Sequence, residues 1–283
     1  MGGGSYSYIQ SKARGVAYQQ QSREEVFHQS KMNPEMNIKD KVRESRDSEE
    51  HPNSFPIILA LDVTGSMGRI PHMLITEGFP EIMKKIMDSG IKDPQVCFVG
   101  IGDHYSDTAP IQVGQFESSD GLLDKWLKTI WLEGCGGGNG GESYGLAHFF
   151  AANCASTDSI LHRKQKGVLI TIGDEPNHLS YDTDYLKKLF GIAPETRVMT
   201  ARDLIAQAQL HWDVYHINLM DYSGVSKNVQ DNWKSLLGDH FINTEDAEGK
   251  DIPDLITGII LKSVGKHTNV NKVSVEDSTV HIR

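Results

Sequence analysis

The sequence predicts an α/β fold, doubly wound, with a mainly parallel central sheet and helices on both faces. Three observations carry this expectation. Unbroken apolar runs at 57–61 (IILAL), 96–101 (VCFVGI) and 168–173 (VLITIG) are too short for helices and suit strands buried on both sides. Segments with helical spacing of apolar residues alternate with these runs, as strand–helix–strand crossovers require. Two of the runs lead at once into an aspartate, Asp62 and Asp174. In open α/β sheets the carboxyl ends of the strands are where ligands bind.

Residues 1–54 carry few core-forming side chains and are expected to form an extended or disordered arm. Within them, Arg43, Glu44, Arg46, Asp47, Glu49 and Glu50 mix both signs and read as solvated surface. The first strand follows in FPIILALDVTGSMG, residues 55–68. Ile70, Met73, Leu74, Phe79, Ile82, Met83, Ile86 and Met87 then recur at helical spacing, with the methionines as core filler. Pro71 suits a first turn, and Gly78 and Pro80 predict a kink or split. Gly90 ends this helix, and a second buried strand runs over 96–103. A shorter edge strand is expected at 111–116 and a helix at 122–132.

The glycine-rich stretch GCGGGNGGESYG, 134–145, leads into a helix at 143–152. It lacks both the Lys-Ser or Lys-Thr of a P-loop and the spacing of a dinucleotide fingerprint. Its glycines instead let a loop pass close to a site into which Asn139, Glu142 or Ser143 points. The strand at 168–173 comes next, then a helix at 201–208, a strand at 212–219 and a helix at 229–237. A short edge strand at 241–243 and a last helix at 252–264 complete a domain spanning 55–266. The tail, 267–283, alternates Val and Ile with polar residues and reads as one added strand.

The chain has 283 residues, and 38% hydrophobic content suffices for a substantial core. A formal charge of −10 argues against a nucleic-acid binder, whose surface is basic. No apolar run approaches a membrane span, and MGGGSYSYIQ lacks the apolar centre of a signal peptide. It is also a poor myristoylation match, with Tyr6 where Ser or Thr is expected. Cys97, Cys135 and Cys154 are odd in number and widely spaced, neither a disulfide framework nor a zinc site. A reducing, cytoplasmic location with no membrane contact is the expectation.

In Asp62-Val63-Thr64-Gly65-Ser66, oxygen-bearing side chains occupy alternate positions just past a strand. Such hard donors suit Mg²⁺ or Mn²⁺, the bland alternative being a helix cap that needs no metal. These residues resemble the von Willebrand factor A (vWA) domain, over roughly 55–265. Its metal-ion-dependent adhesion site uses an Asp-x-Ser-x-Ser turn after the first strand, a Thr in a second loop and an Asp after the fourth strand. LDVTGSM, FVGIGD, the Glu142 loop and GDEPNH look most like the variant found beside alpha-type protein kinases and in bacterial proteins. Kinase activity is not carried over.

The resemblance implies a doubly wound fold and a metal site of Asp62, Thr64, Ser66 and Asp174, with Gly65 and Gly173 keeping the turns tight. Thr64 replaces the first Ser and keeps its hydroxyl. No Thr stands in the second loop; alignment on Gly145-Leu146 puts Glu142 there, with Ser143 and Asn139 as neighbours. Three carboxylates around a divalent ion leave a formal local charge of −1, which repels an incoming carboxylate. Such a site holds its metal as a structural or regulatory element or accepts a neutral or basic group. Asp103, His104, Glu175 and His178 are expected on the same edge, the histidines as incidental loop residues or tuners of recognition rather than ligands.

The leading expectation is a non-enzymatic, metal-dependent protein-interaction module inside the cell. The resemblance implies partners among AAA+ ATPases or larger assemblies, self-association included. The rival is a haloacid-dehalogenase-like phosphotransferase with Asp62 as nucleophile and Lys164 or Lys166 on the phosphate. Against it, Thr64 stands where a second acid is needed, and Glu175-Pro176-Asn177-His178 lacks the late aspartate. A third reading is a metal-free vWA scaffold.

Overall fold

A strand that is apolar at successive positions needs a hydrophobic layer on each face. The computed structural model describes residues 4–67, 69–134, 140–192, 194–220, 226–246 and 248–265, apart from the side chain of Ser66. It answers that need with a six-stranded sheet. The strands are β1 (Phe55–Asp62), β2 (Pro94–Ile101), β3 (Ile111–Val113), β4 (Gly167–Gly173), β5 (Trp212–Asn218) and β6 (Phe241–Asn243). Their spatial order is β6-β5-β4-β1-β2-β3, parallel throughout except for the antiparallel β2–β3 pair. Every residue of β1, β2 and β4 is buried. The fold is the doubly wound α/β architecture read from the sequence.

The α-helices of eight or more residues are α1 (Tyr8–Tyr18), α2 (Phe79–Asp88), α3 (Asp120–Thr129), α4 (Gly145–Asn153), α5 (Thr183–Phe190), α6 (Ala201–Ala208), α7 (Lys227–Leu237) and α8 (Ile252–Ser263). Ile57, Leu59 and Leu61 pack with Ile82 and Ile86 of α2, Leu127 of α3 and Ile256 of α8. Ile58 and Ala60 face the other way, with Phe150 of α4, Leu204 of α6 and Trp233 of α7. The chain leaves β1 toward β2 on one side, while β4 lies on the other. The end of β1 is therefore the topological switch point, where helices on opposite faces diverge and open a crevice. Leu61 pairs with Ile172, so Asp62 and Asp174 emerge side by side from adjacent strands.

The split predicted in the first crossover is present. Ile70–Met73 is α-helical with Pro71 in its first turn, Leu74–Gly78 is π-helical, and α2 follows. Elements too short to show a period were not legible beforehand. These are the parallel pair Arg43–Ser45 with Ala155–Thr157, the antiparallel pair Ser180–Asp182 with Val198–Thr200, and the helix Asp158–Arg163. Helix α5, with Leu186 and Phe190 buried, was also unforeseen. Cys97 and Cys154 are free and buried. Cys135, Asn139 and the expected tail strand lie outside the described residues. Among those residues no helix is long and apolar enough to cross a membrane.

The expectation of an extended or disordered N-terminal arm is corrected. Gly15 lets α1 press onto the π-helical turn, where a Cβ would stand 2.0 Å from the Thr76 carbonyl oxygen. Lys12 pairs with Glu81 at 2.9 Å, Arg14 with Asp120, and the Tyr18 hydroxyl donates to Asp124 at 3.0 Å. Val26, Phe27, Met36 and Ile38 are buried. These apolar residues arrive singly or as the one pair Val26-Phe27, at turns and helix ends, so they add to the core without forming a run. Nor are the charges of 43–47 merely solvated. Arg43 is buried and donates to the Val113 carbonyl at 2.8 Å, Arg46 pairs with Asp158 at 2.8 Å, and Asp47 accepts from Ser54 at 2.6 Å. Glu49 and Glu50 are exposed, as read.

If this segment is part of the core, Met36→Ala costs about 2–5 kcal/mol by cavity formation. Ile9→Ala, at an 80% exposed position of α1, stays within about 0.5 kcal/mol of wild type. Urea unfolding of the two variants beside wild type measures both, and equal small effects would return 1–54 to the status of a loose arm.

Candidate functional site

Asp62 is the last residue of β1 and is fully buried. Its Oδ1 accepts from the Thr64 backbone N–H at 2.8 Å and from the Thr64 hydroxyl at 2.6 Å. That side-chain-to-backbone bond two residues on folds the strand end into a turn, which continues as a 3₁₀ turn at Gly65–Met67. Its Oδ2 accepts from the Tyr144 hydroxyl at 2.7 Å. Burial pushes the Asp62 carboxyl up to about 7, with the Asp174 charge adding to the rise and the Thr64 and Tyr144 hydrogen bonds opposing it. Burial also raises the Tyr144 hydroxyl well above its ordinary value, so it remains a proton donor.

Tyr144 reaches Asp62 because residue 173 has no side chain. A Cβ on Gly173 would lie 1.9 Å from the Tyr144 hydroxyl oxygen. The ring is held edge-on by His216 and Trp233, at centroid distances of 5.1 and 5.3 Å. One residue on, the N–H of Gly145 donates to Asn177 Oδ1 and to the Tyr181 hydroxyl, both at 3.0 Å.

Glu142 is fixed by its backbone. Its N–H donates to the Pro176 carbonyl at 2.9 Å, and its own carbonyl accepts from the His178 N–H at 3.1 Å. The side chain is 4% exposed, and Oε2 has no hydrogen-bond partner among the described residues. Burial, then the charges of Asp62, Asp103, Asp107 and Glu175, push its carboxyl up to about 9. Asp174 is partly buried beside Asp62, and Glu175 is raised by its own burial and by Asp174. An orphaned buried carboxylate oxygen among mutually repelling carboxylates fits a hard divalent cation.

Asp62, Thr64, Glu142 and Asp174 thus share one edge of the sheet. Ser66 sits in the turn. Ser143, an alternative for the Thr place, is turned elsewhere: its Oγ accepts from the His104 N–H at 2.8 Å and lies 2.7 Å from His104 Nδ1. Lys164 and Lys166 directly precede β4, while Asp62 ends the parallel strand beside it. At about 3.3 Å per residue this separates them from Asp62 by roughly 20 Å. They cannot steady a phosphate on Asp62, contrary to the phosphotransferase expectation.

The histidines expected to be incidental are not dispersed. His178 Nε2 lies 2.8 Å from Asp103 Oδ1, and the His104 and His178 rings meet at 5.1 Å, nearly perpendicular. Burial and the neighbouring His178 hold His104 down to about 4, so it is a neutral imidazole. All three residues were expected on this edge, Asp103 ending FVGIGD and His178 closing GDEPNH, but not as one cluster. Nothing in the residue pattern marked Tyr144 or Asn177.

No protein-family model and no curated protein matches the chain. Among solved structures it is similar to the open conformation of the pilus adhesin SpaC from Lactobacillus rhamnosus GG, at 10% identity and a TM-score of 0.50. That match covers 79% of this chain and 31% of the adhesin, so the chain spans less than a third of the adhesin's length. An aerotolerance-related membrane protein from Bacteroides fragilis matches at 13% identity and TM-score 0.44, over 74% of this chain and 99% of that one. A von Willebrand factor type A structure from Catenulispora acidiphila matches at 16% identity and TM-score 0.37, over 76% and 44%. Likeness at these identities speaks to the fold alone, and the adhesin match agrees with the doubly wound α/β architecture.

The crowded carboxyls have a pH signature. Their folded pKa values, about 7 for Asp62 and about 9 for Glu142, lie above the ordinary range near 4 of the unfolded chain. The folded state therefore holds protons that the unfolded state releases, and stability is lost as pH rises through that window. In chelator, Glu142→Gln should show a shallower decline of the urea midpoint between about pH 5 and 9 than wild type. Parallel declines would mean that Glu142 is not ionising in a buried place.

Proposed function

We propose that the chain is a vWA-type, divalent-metal-dependent protein-interaction module without enzymatic activity, acting in the cytoplasm. The observation that carries this reading is the orphaned Glu142 Oε2, buried among the charges of Asp62, Asp103 and Glu175. Asp62, Thr64, Ser66, Glu142 and Asp174 would hold Mg²⁺ or Mn²⁺. The ion, when bound, supplies a positive centre for an oxygen or nitrogen donor of a partner. Three carboxylates against one divalent charge favour a neutral or basic partner group over an acidic one. The vWA resemblance suggests a protein partner, with AAA+ ATPases and self-assembly as the classes to try first.

A metal-free vWA scaffold is the second reading, and one observation favours it. Both oxygens of Asp62 already accept hydrogen bonds from the protein, through Thr64 and Tyr144.

Calorimetric titration of Mg²⁺ and Mn²⁺ into metal-stripped protein separates the two. The module reading expects one-site binding that weakens at least about tenfold, 1.4 kcal/mol, in both Asp62→Ala and Glu142→Ala. It further expects chelator to release captured partner in a pull-down. No binding by wild type would leave the scaffold.

A further inference from the structure

The carboxyl-end rim carries a second group of donors that differs in kind from the oxygen-rich site. Asp103 follows β2, His104 is next in the chain, and His178 lies in the loop after β4. One ligand atom from each lies within 4.8 Å of the other two. Asp103 Oδ1 is 2.8 Å from His178 Nε2 and 4.0 Å from His104 Nδ1. The Asp103 side chain is fully buried, and those of His104 and His178 are 8% and 13% exposed.

We infer that Asp103, His104 and His178 form a second metal centre that takes a transition-type divalent cation such as Zn²⁺. Donor chemistry separates it from the neighbouring site. Imidazole nitrogen suits zinc, cobalt, nickel and copper, whereas magnesium prefers carboxylate, carbonyl and water oxygen. Zinc ligands at about 2.0–2.2 Å in a tetrahedron stand roughly 3.3 Å apart. The separations of 2.8 and 4.0 Å bracket that value, and the two imidazole donors are within 4.8 Å of each other, so modest side-chain movement would bring the three onto one ion. Nearly perpendicular imidazole planes, 87° apart, let two in-plane lone pairs converge without ring overlap.

The surroundings orient these donors as outer partners of a metal site do. Asp103 Oδ1 accepts from the Tyr105 N–H at 3.2 Å, and Oδ2 accepts from the Ser106 hydroxyl at 3.1 Å. The Ser143 oxygen already accepts from the His104 N–H, which frees its proton for His104 Nδ1. That hydroxyl turns about one bond, so the nitrogen can exchange it for a cation. Asp107 places a second carboxylate close by, its Oδ2 accepting from the Asp103 N–H at 2.8 Å. Three protein ligands leave a fourth position open, the pattern of working rather than purely structural zinc sites. Tyr105, 67% exposed, lies against His104 and His178 at 3.9 and 5.0 Å, which puts the cluster at the rim. This centre does not depend on the Mg²⁺ reading.

The test is titration of Zn²⁺ and of Co²⁺ into the metal-stripped full chain, with Mg²⁺ titrated in parallel. The expected result is one equivalent of Zn²⁺ and a tetrahedral Co²⁺ spectrum without a thiolate charge-transfer band. His178→Gln and His104→Gln should each weaken Zn²⁺ at least tenfold and leave the Mg²⁺ isotherm as in wild type. Asp62→Ala should leave Zn²⁺ binding intact. Failure of Mg²⁺ binding alone would sink only the module reading. The absence of stoichiometric Zn²⁺ binding, unchanged binding in the histidine variants, or loss of Zn²⁺ in Asp62→Ala would each overturn the second centre. A measurement without substitution stands beside these: imidazole ¹⁵N shifts of wild type, in which one equivalent of Zn²⁺ must move two histidines. No movement refutes the assignment.

Discussion

Burying an ionisable carboxylate at the end of a central strand sets the terms for the residues around it. Asp62 is fully enclosed, and a buried carboxylate without partners costs several kcal/mol. The Thr64 turn and the Tyr144 hydroxyl supply those partners. Tyr144 in turn needs the space above Gly173, so the second strand end must carry glycine just before its own aspartate. Gly145, next to Tyr144, begins α4 and is pinned by Asn177 and Tyr181. One carboxylate thus ties the ends of β1 and β4 and the start of α4 into a single network. The loop between β4 and α5 joins it through Asn177, whose N–H binds Asn232 on α7.

The layered sheet was legible because buried parallel strands announce themselves as apolar runs, and β1, β2 and β4 are such runs. The acids at their ends were legible for the same reason: a charged residue directly after an unbroken run has one place to be. What the sequence hid was whatever depends on single residues meeting across long separations. Met36 is buried, yet it stands between polar neighbours and has no periodic companions. Tyr144 looks like any loop tyrosine until Gly173 is placed opposite it. His178 is far from Asp103 and His104 in the chain, and only the adjacency of the β2 and β4 loops across β1 brings it to them.

The two groups of donors on the rim are built by contrasting physics. Around Glu142, like charges crowd together and raise one another, an arrangement that waits for a cation or holds protons in its place. Around Asp103, both carboxylate oxygens accept hydrogen bonds from the protein, and the neutral His104 ring lies at a tilt among Tyr105, Tyr181 and Tyr185. Glu142 links the two through its backbone, since its carbonyl accepts the His178 N–H while its carboxylate faces Asp62. Displacement of this one short segment would be felt by both.

The two borders of the sheet have a further consequence. β3 and β6 are each three residues long, and the Val113 carbonyl of β3 is taken by the Arg43 guanidinium. Short edges, one of them covered, offer few free backbone groups to an incoming strand, which is how proteins avoid runaway lateral pairing. The borders of this six-stranded sheet are therefore poorly equipped to pair with a second copy. Association through this sheet would have to go by way of side chains and loops, which would make it sensitive to ions and point substitutions.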